Sequence, residues 1–577
     1  MKKRKLSYKI AKFLSPILRP LLRISSPFLR IAKKFYNYYK KLLPDNFYNS
    51  WAMTNRDVCY VEKEIRYKPL ISVVVPVFNP SSTHLIEMVY SVVNQHYDNW
   101  ELVLVNTSNN ISVRSQAEKC ANIDDRIKVV DLEKNQGISN NTNIAIKNSS
   151  GEFIAFLDHD DIIHPCALHS VVEALQTSKK PDLIYTDEDK ITADSNRYFN
   201  PHLKPDWSPD LLNNVNYINH LLIVKTEFVR KVGGLRAAYD GAQDYDLLLR
   251  VIDQCAPRIK HISRVLYSWR AAQQSTAKDI DTKQYVFYSG VKALSEHIKR
   301  NNISAKVKHL VGKPGFYELI YKPIDFSLVV GDVSLLRQEV CAKWLTELLA
   351  LSNIDNRHIE LVIGDWYEKF KNNLPSNLKI KYVASDQKDY WATASHLVSM
   401  PIAICFKIAA LPKSKHGLDR LAAAAADINH IAVGPVIVSH KNTILDSGIV
   451  DLNRIPRNLF EGYEYGTNTY FGNTDWVRNV DDLSTNVVAL SREKLLELVE
   501  FGVQTYHRAN TILSILPSSS VSKTKFVTWA HSPFEYKGLL KPSSRNSYYN
   551  SQLFKFVPII TMHVDNWGDD YAKESDV

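Results

Sequence analysis

Gly151-Glu152-Phe153-Ile154-Ala155-Phe156-Leu157-Asp158-His159-Asp160-Asp161 decides how this chain is read: an apolar run ends abruptly in three carboxylates and an imidazole. Phe153 to Leu157 has the length and composition of a buried strand. An open α/β sheet places its ligand crevice at the carboxyl ends of its strands. Three acids at such an end repel one another unless a cation neutralises them, and hard oxygen ligands suit Mg²⁺ or Mn²⁺. A divalent ion on one or two carboxylates keeps positions open for phosphate oxygens, which is how a site grips a diphosphate. The plainer reading of the same residues is a solvated acidic turn.

The segments before it favour the first reading. Ile71-Ser72-Val73-Val74-Val75-Pro76-Val77-Phe78-Asn79 reads as a buried strand stopped by proline. Leu85, Met88, Val89, Val92 and Val93 then recur at helical spacing, and Trp100 to Val105 is a second strand. Strand, helix and strand in this order form a βαβ unit and predict a parallel sheet. A strand near Ile127–Leu132 and a helix near Ser139–Lys147 continue the alternation, so this half is α/β with its site at one sheet edge.

From about residue 70 to 278 the chain resembles bacterial family 2 glycosyltransferases of the GT-A fold, in the branch that builds O-antigen and other surface polysaccharides. The residues carrying the resemblance are Pro76-Val77-Phe78-Asn79, Asn135-Gln136-Gly137-Ile138-Ser139 with Asn143, and Leu157 to Asp161. Tyr185-Thr186-Asp187-Glu188-Asp189-Lys190, Lys204-Pro205-Asp206-Trp207-Ser208-Pro209, Gly241 to Arg250 and Val265 to Arg270 complete the series. The resemblance implies inverting transfer from a nucleotide-sugar donor, with Mn²⁺ or Mg²⁺ and the diphosphate on Asp158, Asp160 and Asp161. It implies donor contacts from Pro76, Val77, Asn79, Asn106, Asn135, Gly137, Asn143 and Arg270. Acceptor contacts fall to Asp187, Glu188, Asp189, Trp207 and Gln243, and the base is Asp244. Chemistry agrees with two of these roles: an inverting displacement needs a carboxylate opposite the leaving group, and a metal offsets the charge developing there. Asp244 also suits a helix N-cap, and Asp246 competes with it as base. Trp207, between two prolines, is the better tryptophan to stack on a sugar; Trp269 reads as core.

Two positions depart from the family pattern. Asn106 and Thr107 stand where an Asp pair usually reads the nucleobase, and Ser268 stands where relatives often carry His before Trp-Arg. These departures are what a non-catalytic glycan-binding or scaffolding subunit would show, which is the alternative reading.

Near residue 326 the chain starts again. Phe326 to Val330 echoes the first strand and His358 to Ile363 the second, while Ala403-Ile404-Cys405-Phe406-Lys407-Ile408 carries no acid where the first half has three. Without carboxylates no metal is held, so this copy reads as degenerate. Four regions are expected: a basic arm and lead-in over 1–67, a GT-A domain over 68–325, a degenerate GT-A-like domain over 326–524, and an unassigned extension over 525–577.

Charge separates the arm from the rest. Of the 577 residues, positions 1–44 hold thirteen Lys/Arg and no acid, so the net +11 leaves −2 for everything after them. Phe28, Ile31, Ala32, Phe35, Tyr39 and Leu42 share one helical face, and Arg30, Lys33, Lys34, Lys40 and Lys41 the other. That is the pattern of a helix lying in an anionic membrane surface, so a lipid-linked glycan acceptor and a peripheral place on the cytoplasmic face are expected. Packing on the protein body is the competing use of such a helix. No apolar run is long enough to span a bilayer, Lys9, Lys12, Arg19 and Arg23 interrupt any secretory core, and nothing downstream reads as a nucleic-acid module. Six scattered cysteines without a CxxC pair argue against a disulfide framework or zinc site and fit a reducing compartment.

Overall fold

The computed structural model describes residues 48–54, 59, 64–271, 284–505 with short interruptions, and 526–536. The amphipathic segment 28–43 lies outside them. Among the described residues no helix is long and apolar enough to cross a membrane.

Strands β1 (Ile71–Val77), β2 (Trp100–Asn106), β3 (Ile127–Asp131) and β4 (Phe153–Phe156) are parallel neighbours in the order β3-β2-β1-β4. Their alternation with helices leaves apolar side chains on both faces, which form two separate cores. The sheet continues through β5 (Ile162–Ile163), β6 (Leu183–Thr192), β7 (Tyr198–His202), β8 (Leu222–Lys225) and β9 (Ile259–Ala271) in the order β4-β8-β6-β9-β5, with β7 on β6. Here β8 is antiparallel to both β4 and β6, and the sheet becomes mixed. A polar node ties the parallel part together from within. Glu101 on β2 accepts from Ser72 Oγ on β1 at 2.6 Å and Gly151 N at 3.1 Å, and pairs with Lys128 on β3. A side chain at 151 would overlap Ser72, so the residue opening the acidic strand has to be glycine.

A hairpin, β10 (Ala305–His309) with β11 (Tyr317–Tyr321), leads to a second sheet. In it β12 (Phe326–Val330), β13 (Ile359–Gly364), β14 (Lys379–Val383) and β15 (Ile402–Phe406) are parallel in the order β14-β13-β12-β15. The strand Val487–Ser491, β17 (Ala432–Val438), Phe526–Tyr536 and β16 (Ala410–Pro412) follow, which reproduces the strand order of the first sheet. The pairing directions repeat too: Val487–Ser491 is antiparallel to both its neighbours, and β17 is parallel to Phe526–Tyr536. Even the polar node recurs. Ser327 Oγ donates to Glu360 at 2.8 Å, Ser399 N at 2.9 Å, and Lys381 stands 2.9 Å away. Counting along the matched strands, Lys407 falls where the first sheet has Asp158.

The structure corrects two expectations. Phe526–Tyr536 pairs with β17 and β16, so the second sheet runs past the 524 boundary. Its partners lie over 90 residues earlier, and no local pattern announces such a pairing. The cysteines do not stay apart: Cys59 and Cys166 form a disulfide with Cα atoms 5.7 Å apart, pinning the lead-in to the segment after Asp161. Wide spacing in sequence says nothing against contact in space.

The halves pack directly on each other. Trp476 of the second half joins the first half's core and stacks at a tilt on Phe316, 5.4 Å between centroids. Leu203 N donates to Tyr470 O at 2.7 Å, and Tyr48 lies between Asp189 of one half and Tyr470 of the other.

The second polar node has a pH signature. Burial would raise the Glu360 carboxyl, but the bonds from Ser399, Lys381 and Ser327 outweigh it and bring it down to about 2. Its contribution to stability is therefore present above the ordinary glutamate value of about 4.3 and is lost as pH falls towards about 2. Glu360→Gln should flatten the acid limb of a stability–pH curve between those values, as read by denaturant titration at each pH.

Candidate active site

The site lies where β4 ends. Asp158 and Asp160 are half-buried on the turn after the strand, and His159 between them is tied back by Nδ1 to the Pro76 carbonyl at 3.1 Å. Asp161 is fully buried, accepting from Tyr267 Oη and from Arg270 N at 2.7 Å. Burial raises its carboxyl well above the usual range, and the charges of Asp158 and Asp160 push it further. Asp161 is thus a support beneath an open pair and is not placed as a third open ligand. Among the described residues, the one set of three His, Cys or acidic side chains whose ligand atoms lie within 4.8 Å of one another is Cys59, His96 and Cys166, and two of these are joined in the disulfide. The three aspartates do not converge in that way.

Arg270 is buried as well. It donates by Nε to the Asp160 carbonyl at 2.6 Å, by Nη1 to Ser195 at 2.6 Å and by Nη2 to Glu87 at 2.7 Å. Through these bonds it holds the turn's backbone.

Asp244 opens the helix Gln243–Cys255 and accepts, at one carboxylate oxygen, from Asn216 Nδ2 at 3.1 Å and from Asn219 Nδ2. Burial raises its carboxyl; the charge of His220 opposes that and Asp158 adds to it. Asp244 does not cap the helix through its side chain, since the N-cap position is Ala242. Asp246, the competing carboxylate, is 1% exposed and clasped by Arg236 and by Arg250, the latter at 2.8 Å. It has no open edge.

β6 sorts its three acids by face. Asp187 and Asp189 are fully buried on one side, against His261 at 2.9 Å and against Tyr48 and Ser268 respectively. These partners, not the acidic turn, take up Asp187 and Asp189; the β6–β9 register shifts on both sides of Asp187, so the sorting is more than simple alternation. Glu188 points the other way and receives Lys204 Nζ at 3.3 Å and the backbone N of His220. Burial alone would raise Glu188, but Lys204, His202 and His220 hold it well below the carboxylate range.

His220 went unnoticed in the sequence. Its ring stacks on Tyr267 with centroids 4.8 Å apart and lies 3.4 Å from Glu188. Burial would lower the imidazole, yet Glu188, Asp158 and Asp161 outweigh that and raise it to about 9. Ser268, one of the two departures from the family pattern, is turned to Asp189, whereas His220 is carried by the 216–220 segment. The signal available in sequence was the polar run Asn216-Tyr217-Ile218-Asn219-His220 in an otherwise apolar stretch.

The residues expected to meet a donor lie at the ends of β1 and β2. Asn79 has φ +47° and accepts from Asn109 N at 3.1 Å. Val77 is buried. Asn106 is buried and donates to Asp131 at 2.6 Å, which places a carboxylate from β3 beside the amide. Asn135 accepts from Gly137 N at 2.9 Å, and Gly137, at φ +89°, turns the chain into the helix Ile138–Lys147. Asn143 faces away, exchanging two 2.8 Å bonds with the backbone of Leu235. Of the remaining positions, Gln243 bonds Gly241 N at 2.7 Å. Trp207 is half-buried against the core, while Trp269 is 39% exposed beside Lys190. Trp269, expected in the core, lies on the outward face of β9 between buried Ser268 and Arg270.

Residues 72–232 match the model of Glycosyl transferase family 2. The chain carries a family 2 glycosyltransferase domain. The matched segment includes Asp158 to Asp161, Glu188, Lys204 and His220; Asp244 and Arg270 follow it. An uncharacterized protein of Sinorhizobium fredii, y4gI, is 45% identical over 323 residues, which is 54% of this chain and 35% of that one. The O-antigen biosynthesis protein RfbC of Myxococcus xanthus is 30% identical over 456 residues, 74% of this chain and 34% of that one. The chain thus spans about a third of the length of these two relatives. Among solved structures, S. aureus TarS 1-349 in complex with UDP aligns at 19% identity with a TM-score of 0.30, covering 40% of this chain and 65% of that one.

The buried Lys204–Glu188 pair is the most exposed to mutation. Lys204→Ala takes the lysine from Glu188 and leaves it His202 and His220, so the cost should lie at the low end of that for removing one partner of a buried pair, about 3 kcal/mol. Urea unfolding of the variant should show a loss of that size, whereas Lys190→Ala on the same strand should stay within about 0.5 kcal/mol of the parent.

Proposed function

We propose that this protein transfers a sugar, with inversion, from a nucleotide-sugar donor to a growing cell-surface glycan, with Asp244 as base and Asp158 and Asp160 holding Mn²⁺ or Mg²⁺. One observation carries the reading: an open pair of aspartates at a strand end faces a raised carboxylate held on two asparagines. The donor set fits a hard divalent ion, since two half-buried carboxylates supply oxygen ligands and leave other positions to phosphates. When bound, the ion offsets charge on the leaving diphosphate. Asp161 and Arg270 fix the turn that presents the pair, and His220 adds a positive charge at the same edge. Asn216 and Asn219 both bind the same Asp244 oxygen, which leaves the acceptor proton to the other. Asp246 is set aside as base because Arg236 and Arg250 occupy it.

The second half has no equivalent of this pair. Lys407 replaces Asp158, and Trp391 packs on Gly331 at the end of β12, where Pro76 stands in the first sheet. We read it as a degenerate GT-A-like domain that binds neither metal nor nucleotide.

Asp244→Asn should lower transfer by about 10²–10⁴-fold while nucleotide affinity persists. Because burial raises this carboxyl, the acid limb of kcat/KM should lie above the ordinary aspartate value of about 3.9, activity falling as pH drops through it. Asp160→Asn should make nucleotide binding indifferent to Mn²⁺. A screen of nucleotide sugars with and without chelator tests both, and undiminished turnover in chelator would sink the metal role.

The arm is proposed to bring the site to a lipid-linked acceptor at the membrane surface. Removing residues 1–44 should abolish salt-sensitive sedimentation with anionic vesicles and leave transfer to a soluble acceptor analogue nearly unchanged. Continued sedimentation of the shortened protein would assign the helix to packing instead.

A further inference from the structure

The loop Lys204–Asp210 is gripped from two sides. From the second half, Asn479 spends its whole amide on it: Oδ1 accepts from Ser208 Oγ at 2.9 Å and Asp210 N at 3.0 Å, and Nδ2 donates to Asp210 Oδ2 at 2.8 Å. Asn479 N adds a bond to Ser208 Oγ at 3.1 Å. His430 Nε2 meets the other Asp210 oxygen at 2.9 Å while its Nδ1 lies 2.7 Å from the Ala424 carbonyl. Ser208, Asp210 and His430 are all buried. From the first half, Lys204 at the loop's start sends Nζ to the carbonyls of Ile218 at 2.9 Å and His220 at 2.6 Å as well as to Glu188. Ser208 N adds a bond to Tyr217 Oη at 2.9 Å. The segment so held, 216–220, is the one whose Asn216 and Asn219 bind Asp244.

We propose that His430 and Asn479 are positioning residues: by holding Ser208 and Asp210 they set the Lys204–Asp210 loop, and through Lys204 and Tyr217 they place Asn216, Asn219 and His220 against Asp244. The second half thereby acts on a reaction whose groups all lie in the first. The inference rests on the reading of Asp244 as base, but the link itself is testable without it.

Hydrogen exchange on the full chain reads the link directly. Asn479→Ala and His430→Ala should each raise amide exchange in 203–221 by about tenfold, roughly the worth of one net hydrogen bond, and leave 71–77 and 153–156 unchanged. His430→Gln, which retains a donor towards Asp210, should fall closer to the parent, and it serves if either alanine variant fails to fold. Unchanged exchange in 216–221 overturns the proposal, as does a uniform rise across both halves, which is what loosened packing would give.

Kinetics form the second arm. With whichever nucleotide sugar the parent hydrolyses, kcat should fall about tenfold in both alanine variants. Affinity for UDP or GDP with Mn²⁺ should stay within about twofold, because the Asp158–Asp160 turn is on another element. Equal losses in both quantities would overturn a positioning role. If the parent acts on no nucleotide sugar, the transferase reading fails, and the exchange arm still decides the link.

Discussion

Like charge crowded into a small volume is the constraint on which this molecule turns. Asp158, Asp160, Asp161, Glu188 and Asp244 gather at one end of a sheet whose interior is apolar. Asp161 is fully buried and the other four are only partly open to water, so much of the repulsion has to be met by fixed cations and hydrogen-bond donors. Lys204 and His220 meet Glu188, Tyr267 and the backbone of Arg270 meet Asp161, and two asparagines meet Asp244. The donors come from three stretches of chain: Lys204, the 216–220 segment and β9. The mixed half of the sheet, with β8 running against its neighbours, is what delivers the 216–220 segment to the acidic turn.

What could be read in the sequence follows from how local its cause is. The strands β1, β2 and β4 were legible because a buried parallel strand is a continuous apolar run, and the acidic turn because charge interrupts such a run sharply. The faces of β6 were not legible, because Asp187, Glu188 and Asp189 look alike in a row. Only the pleat and the partners on β9 decide that Glu188 faces the site. Trp269 misled for the same reason: a strand position suggested burial, yet the pleat turns it outward. His220 escaped because a lone histidine in sequence carries no sign of the carboxylates that fold around it.

The second sheet repeats the strand order of the first without its acidic strand end. The Ser–Glu–Lys node persists as Ser327, Glu360 and Lys381, because unpairing any member would strand a buried charge between three parallel strands. The acids at the strand end have no such structural duty. Lys407 stands at the position of Asp158, where burial disfavours its charge.

The last strand of that sheet has a practical consequence. Phe526–Tyr536 lies between β17 and β16, with β17 parallel to it and β16 antiparallel. A chain shortened to end at residue 524, a natural choice from composition, would strip β16 of its partner and bare one long edge of β17. Exposed edges of apolar strands template pairing between molecules. Material cut there would tend to associate through the second sheet, and the first half, though intact in sequence, would be carried into the aggregate by the Trp476 and Asn479 contacts that join the two.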